Sequence, residues 1–266
     1  MPLTDVQREV FQVIRSLRSE ESYVAGATVI HRAQDSTRFS DDVDLFHDAV
    51  EQVGRAAERD AEALRMAGFT VEFDARHVLG GSFARAMLGK GALNMKMEWA
   101  WDSAFRFFPL VSDEVLGFRL HDFDAATNKV LACAGRIKIR DFVDLIHLDE
   151  SYIPLGRLIW ASSGKDEGLT PEWIINTISR TARFRAEDLA KVSWAKPATP
   201  EELKHKWLAA VERAQQLIAT FPPETLGAVF VDGSGEAVTS AKFDAATEAP
   251  HYGSVRGAWP RLIAEE

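Results

Sequence analysis

The chain has 266 residues, 46% hydrophobic and 27% charged, enough apolar material for one large domain or two ordinary ones with a buried core. A formal net charge of −9 argues against a nucleic-acid coat protein, although a local basic stripe could still hold RNA. The single cysteine, Cys133, excludes an internal disulfide and fits a reducing cytoplasm. No apolar run approaches the roughly 18 residues of a membrane span, and MPLTDVQREV lacks the apolar stretch of a signal peptide.

Leu3 to Leu17 predicts an amphipathic helix, with Val6, Val10, Phe11, Val13, Ile14 and Leu17 at helical spacing. Tyr23-Val24-Ala25 predicts a short strand, Gly26-Ala27-Thr28 a tight turn, and Val29 onward the start of a helix. Asp42 to Phe46 predicts a strand, Asp48 to Met66 a helix, and Phe69 to Phe73 another strand. Ser82 to Leu88 and Leu93 to Trp101 continue the sheet, with Gly80-Gly81 and Gly89-Lys90-Gly91 as turns and Leu116 to Leu120 as an edge strand. Helices follow, one capped by Asp124 and running to about Gly135, and a second over Lys138 to Leu148. Thr170-Pro171-Glu172 and Thr199-Pro200-Glu201-Glu202 are two helix starts, the second leading to Ala219. Val229 to Val238 predicts a hairpin turning at Asp232-Gly233, and about 25 further residues read as a loosely packed tail. The expected class is α/β, a mixed sheet with flanking helices over residues 1–150, then a mainly helical half over 151–266.

The chemistry concentrates in Asp42-Val43-Asp44-Leu45-Phe46. Alternate residues of a strand share a face, so both carboxylates point one way while Val43 and Leu45 face a core. Two like charges that close repel, and a divalent cation relieves the repulsion; hard oxygen donors suit Mg²⁺. The strand–Gly turn–helix before them, with Ser36, Thr37, Arg38 and Ser40, supplies amide, hydroxyl and guanidinium groups for phosphate. A phosphate cradle beside a metal-binding acid pair is what phosphoryl or nucleotidyl transfer requires. On the strand Asn94 to Trp101, Lys96 and Glu98 share a face with Asp102 beyond them, and Glu98 is a candidate third metal ligand or base, against a plain cross-strand ion pair. Lys129, on an otherwise apolar helix, is a candidate phosphate ligand, followed by Lys138, Arg140, Asp141 and Asp144. The seven histidines are scattered without metal-ligand spacing, so zinc is not expected.

Gly26-Ala27, then Arg38-Phe39-Ser40-Asp41-Asp42-Val43-Asp44-Leu45, then Lys129 and Arg140-Asp141-Phe142-Val143-Asp144-Leu145 together resemble the AbiEii/AbiGii-type nucleotidyltransferases. These are bacterial toxins within the DNA polymerase β-like nucleotidyltransferase superfamily, and the matching residues span 24–145. The resemblance implies Asp42 and Asp44 as catalytic Mg²⁺ ligands, with Gly26 and Ser40 lining the triphosphate site and Lys129 as a phosphate-binding lysine. It also implies Asp144 as a second catalytic acid. Glu98 as a third metal ligand is placed by strand order, and Arg38 is a further candidate for the NTP site. Ala27 departs from the serine common in the wider superfamily, for which Thr28 or Ser40 could substitute. The implied function is a cytoplasmic toxin of a toxin–antitoxin pair. It would move NMP from an NTP to an acceptor hydroxyl, RNA such as a tRNA 3′ end, and a cognate antitoxin would neutralise it. Arg180, Arg183, Arg185, Lys191, Lys196, Lys204 and Lys206, interleaved with Phe184, Trp194 and Trp207, form a candidate RNA face whose alternative is a solvated surface with the aromatics turned inward. An inactive nucleotide- or RNA-binding protein of the same fold, or an antibiotic nucleotidyltransferase, are the alternatives.

Overall fold

The computed structural model describes residues 3–33, 35–74 and 81–261. In chain order it runs α1 (Asp5–Ile14), β1 (Ser22–Ala25), α2 (Gly26–Ile30), β2 (Asp42–His47), α3 (Val50–Met66), β3 (Thr70–Phe73), β4 (Phe83–Lys90) and β5 (Leu93–Trp101). Then come β6 (Phe105–Arg106), β7 (Val111–Asp113), β8 (Gly117–Arg119), α4 (Asp122–Gly135), α5 (Ile139–Ser151) and α6 (Leu155–Ser162). The chain continues with α7 (Pro171–Thr181), α8 (Ala186–Leu189), α9 (Pro200–Ile218), β9 (Val229–Val231), β10 (Ala249–His251) and β11 (Ser254–Val255). These elements form two compact units. The first holds residues 1–104, 110–122 and 193–195; the second holds 105–109, 123–192 and 196–266.

The first unit is built on a seven-stranded mixed sheet in the order β3-β4-β5-β2-β1-β8-β7. β2 pairs antiparallel with β1 and parallel with β5, so the acid-bearing strand lies inside the sheet. Period-two alternation divides the faces. Val43 and Leu45 on β2, Ala84 and Ala86 on β4, and Met97 and Trp99 on β5 are buried on the face that α1 and α3 cover. A polar network lies within this core: Arg18 pairs with Asp60, which accepts Trp99 Nε1–H at 2.9 Å, and Ser22 Oγ lies 3.1 Å from His47 Nε2. Gln7 closes a capping box with Thr4 at the start of α1.

In the second unit, helix starts follow the sequence closely. Thr170 caps α7 by accepting Trp173 N–H, and Thr199 and Glu202 form a capping box on α9. α6 was not foreseen; all eight of its residues are buried, Arg157 among them. It packs on α9, and Trp160 joins Leu217, Phe221 and Phe230 in an apolar cluster.

Several expectations are corrected. α2 begins at Gly26, ahead of Val29, and is a single five-residue turn (Gly26–Ile30), with Gly26 at a positive φ of +66°. β8 is interior, since β1 pairs on one side of it and β7 on the other. Asp124 lies inside α4 and caps no helix: its carboxylate accepts the Phe107 and Phe108 N–H groups at 2.9 and 3.0 Å and pairs with Lys165 at 2.8 Å. The hairpin forms a tight turn with a bridge from Val231 to Ala237, but the main partner of β9 is β10. The tail, as far as it is described, is largely exposed, as expected, and is held at two points: β11 pairs with β6, and Glu248 forms an ion pair with Arg157 at 2.8 Å whose side chains are buried. Gly80 lies outside the described residues.

Candidate active site

The face of β2 opposite the α1–α3 layer carries Asp42 and Asp44, as alternation requires. In register beside them on β5 stand Lys96, opposite Asp42, and Glu98, opposite Asp44; Arg85 on β4 is opposite Glu98. Five ionisable groups therefore share one patch of sheet. Lys96 Nζ lies 2.9 Å from Asp42 Oδ2 and 3.0 Å from Glu98 Oε1, and Arg85 Nη2 lies 2.7 Å from Glu98 Oε1. Burial opposes the charge on Lys96, but the carboxylates of Asp42 and Glu98 outweigh it and hold the ammonium above the ordinary lysine range. Burial likewise acts to raise Glu98, and the two cations beside it overcome that and lower it.

Gly26 sets the other wall. A Cβ built there would fall 2.1 Å from Asp44 Oδ2, so only glycine lets the backbone lie against this carboxylate, and φ of +66° adds a second reason. Thr28, Ser40 and Gln7 fix the loop before the acids. Ser40 Oγ donates to the Asp42 carbonyl at 2.9 Å, Thr28 Oγ1 lies 3.0 Å from that oxygen, and Gln7 Nε2 donates to it at 3.2 Å and to the Ser40 carbonyl at 2.9 Å. Arg38 is buried, donates to the Phe39 carbonyl at 2.8 Å and bridges to Trp194 in the backbone ladder. The hydroxyls of Thr28 and Ser40 are thus turned onto main chain, where the sequence suggested phosphate. Their geometry positions the acids.

The donor chemistry fits a hard divalent ion at Asp42 and Asp44: two carboxylates on one strand face, with a glycine backbone pressed against one of them. Glu98 shares the patch, but its carboxylate is bound by Lys96 and Arg85. Among the described residues no group of three or more His, Cys, Asp or Glu is arranged as a metal-ligand set.

In the second unit, Lys129 on α4 and Asp144 on α5 meet each other. Lys129 Nζ lies 2.9 Å from Asp144 Oδ2 and 3.0 Å from Asp141 Oδ1, and Arg136 Nε lies 2.8 Å from Asp141 Oδ2. Burial would raise the Asp141 carboxyl, but Lys129 and Arg136 bring it below the usual range. The buried Cys133 nearby is raised, first by burial and then by Asp141, which disfavours its thiolate. Of the aromatics in the basic run, Trp207 is buried and Phe184 half-buried, and both pack edge-on against Phe142, at 5.3 and 6.2 Å between ring centroids. Lys206 and Lys191 are paired with Glu150 and Asp188.

Sequence reading passed over Gln7, Thr28 as a positioning group, and the Lys96–Asp42 pair. Lys96 did leave a signal, its shared face with Glu98, but only strand pairing shows that the face adjoins Asp42. Gln7 left none, since its contact with Ser40 spans 33 residues.

No protein-family model matches the sequence, and no curated protein matches it. Solved structures do. A protein from H. pylori described as a proposed nucleotidyltransferase is similar at a TM-score of 0.53 and 17% identity, over 80% of this chain and 95% of that one. JHP933 from Helicobacter pylori aligns at 0.50 and 17% identity, over 82% and 95%. MenT4, a nucleotidyltransferase toxin from Mycobacterium tuberculosis H37Rv, aligns at 0.50 and 15% identity, over 82% and 83%. At these identities the likeness is one of architecture: a mixed sheet followed by a mostly helical region, a fold shared with these nucleotidyltransferases.

Proposed function

We propose that the chain is a Mg²⁺-dependent nucleotidyltransferase that moves NMP from an NTP to an acceptor hydroxyl and releases pyrophosphate. One observation carries the reading: Asp42 and Asp44 share a sheet face against the Gly26 backbone, in a chain with this fold. Mg²⁺ held by Asp42 and Asp44 would supply charge for the triphosphate and acidity for the acceptor hydroxyl. Gly26 leaves the space beside Asp44 clear. Ser40, Thr28 and Gln7 hold the strand entry so that the two carboxylates stay aligned, and the buried Arg38 bonds the Phe39 carbonyl in the same loop. Glu98 and Arg85 anchor Lys96 beside Asp42, which keeps cationic charge where phosphate oxygens would come. Lys129 as a phosphate-binding lysine and Asp144 as a further acid rest on the resemblance of their motif.

The acceptor in this reading is RNA, a tRNA 3′ end being the first to test. The product is toxic unless a cognate antitoxin blocks the enzyme; the likeness to MenT4, described as a nucleotidyltransferase toxin, supports this. The test incubates purified protein with Mg²⁺, total tRNA and each α-³²P-labelled NTP in turn. Wild type should label RNA, and Asp42→Ala should lose at least about a hundredfold in rate while melting as a folded protein. Label passing equally well with Asp42→Ala would remove the acid pair from the reaction. Growth arrest on induction, relieved by the same substitution, would establish the toxin role.

A further inference from the structure

The ammonium of Lys96 stands where a cation serving Asp42 would be expected, 2.9 Å from Asp42 Oδ2. It is not an incidental surface pair. Strand register places Lys96 directly opposite Asp42 across a parallel ladder, and its side chain is only 24% exposed. Glu98, two residues on, takes the same ammonium at 3.0 Å, and Arg85 from β4 takes Glu98 in turn. Lys96 is thus held by two carboxylates, and only one of them belongs to the acid pair. It can release Asp42 and keep a partner.

Resting on the metal-dependent reading above, we infer that Lys96 is the resident counterion of Asp42. It offsets the charge of Asp42 before substrate arrives and yields that carboxylate when a divalent ion enters, staying tethered to Glu98. This makes the ammonium a competitor of the metal ion. It lowers affinity for the free ion and leaves a positive charge at the site's edge for the triphosphate that accompanies the metal. Lys96 is a positioning residue here, and Glu98 acts through it.

The role separates from simple propping of Asp42 by sign. If Lys96 competes, removing it tightens metal binding; if it only holds Asp42 in place, removing it weakens binding or leaves it unchanged. The measurement is Mn²⁺ titration without nucleotide, read by the electron paramagnetic resonance of the free ion. Wild type, Lys96→Met and Lys96→Arg would be compared, with Asp42→Asn as control and Lys96→Gln as a second neutral variant should the methionine protein melt early. Lys96→Met is expected to bind Mn²⁺ roughly tenfold tighter, consistent with the strength of close charge pairs at a half-buried site. Lys96→Arg should return near wild type. Binding by Lys96→Met with none detectable in wild type would also support the inference. Equal or weaker binding in Lys96→Met and Lys96→Gln, with wild type binding normally, would overturn the counterion role alone. No Mn²⁺ binding by any of these proteins would overturn the metal site and the counterion role with it.

Discussion

Single residues here act through where their atoms cannot go. The missing Cβ of Gly26 leaves room for the Asp44 carboxylate, and Gly26→Ala would place a carbon 2.1 Å from Asp44 Oδ2 at a φ that alanine rarely adopts. A stability loss of about 1–3 kcal/mol is expected by denaturant unfolding, together with loss of transfer activity. His47 acts through its proton. Burial first, then the Arg18 guanidinium, pushes it down to about 4, so the folded state favours neutral imidazole. The unfolded chain takes up the proton near 6.5, so stability is full above that value and falls as pH drops toward 4. By pH 5 the loss is about 2 kcal/mol. Chemical denaturation at pH 7 and pH 5 should show this slope, and His47→Gln should remove its share of it.

At the scale of elements, β2, β4 and β5 were legible because apolar core residues alternate with polar ones, as in Asp42-Val43-Asp44-Leu45 and Lys96-Met97-Glu98-Trp99, whereas the short β7 was not read. Helices with a polar side and a capping residue were legible for the same local reason, α9 above all. What could not be read is pairing. No local pattern tells that Lys96 faces Asp42, that Asp124 inside α4 receives the amides of Phe107 and Phe108, or that Gln7 reaches Ser40. The α4–α5 pair shows how the same residues serve packing. Lys129 is shared between two buried carboxylates, so Lys129→Met would leave Asp141 with Arg136 and deprive Asp144 of its ammonium. A loss of about 3 kcal/mol is expected in urea unfolding. Adding Asp144→Asn should recover part of it; no loss in the single variant would mean that Lys129 carries little of the stability of this helix pair.

At the scale of the whole molecule, a split into halves at residue 150 does not describe the packing. Residues 105–109 belong to the second unit, residues 193–195 return to the first, and the chain passes to the second unit after Asp122. Linear order cannot reveal such exchanges, because short segments such as β6 take their place by pairing with β11, about 150 residues away. Among the described residues no helix is long and apolar enough to cross a membrane. The catalytic assignment depends on the first unit's acid pair. Its most direct test measures pyrophosphate release from an NTP mixture with total tRNA, for wild type and Asp44→Asn, in Mg²⁺ and after chelation. Release by wild type in Mg²⁺ alone, abolished by Asp44→Asn and by chelation, is the expected result. Release that survives both would contradict a metal-dependent transfer centre at Asp42 and Asp44.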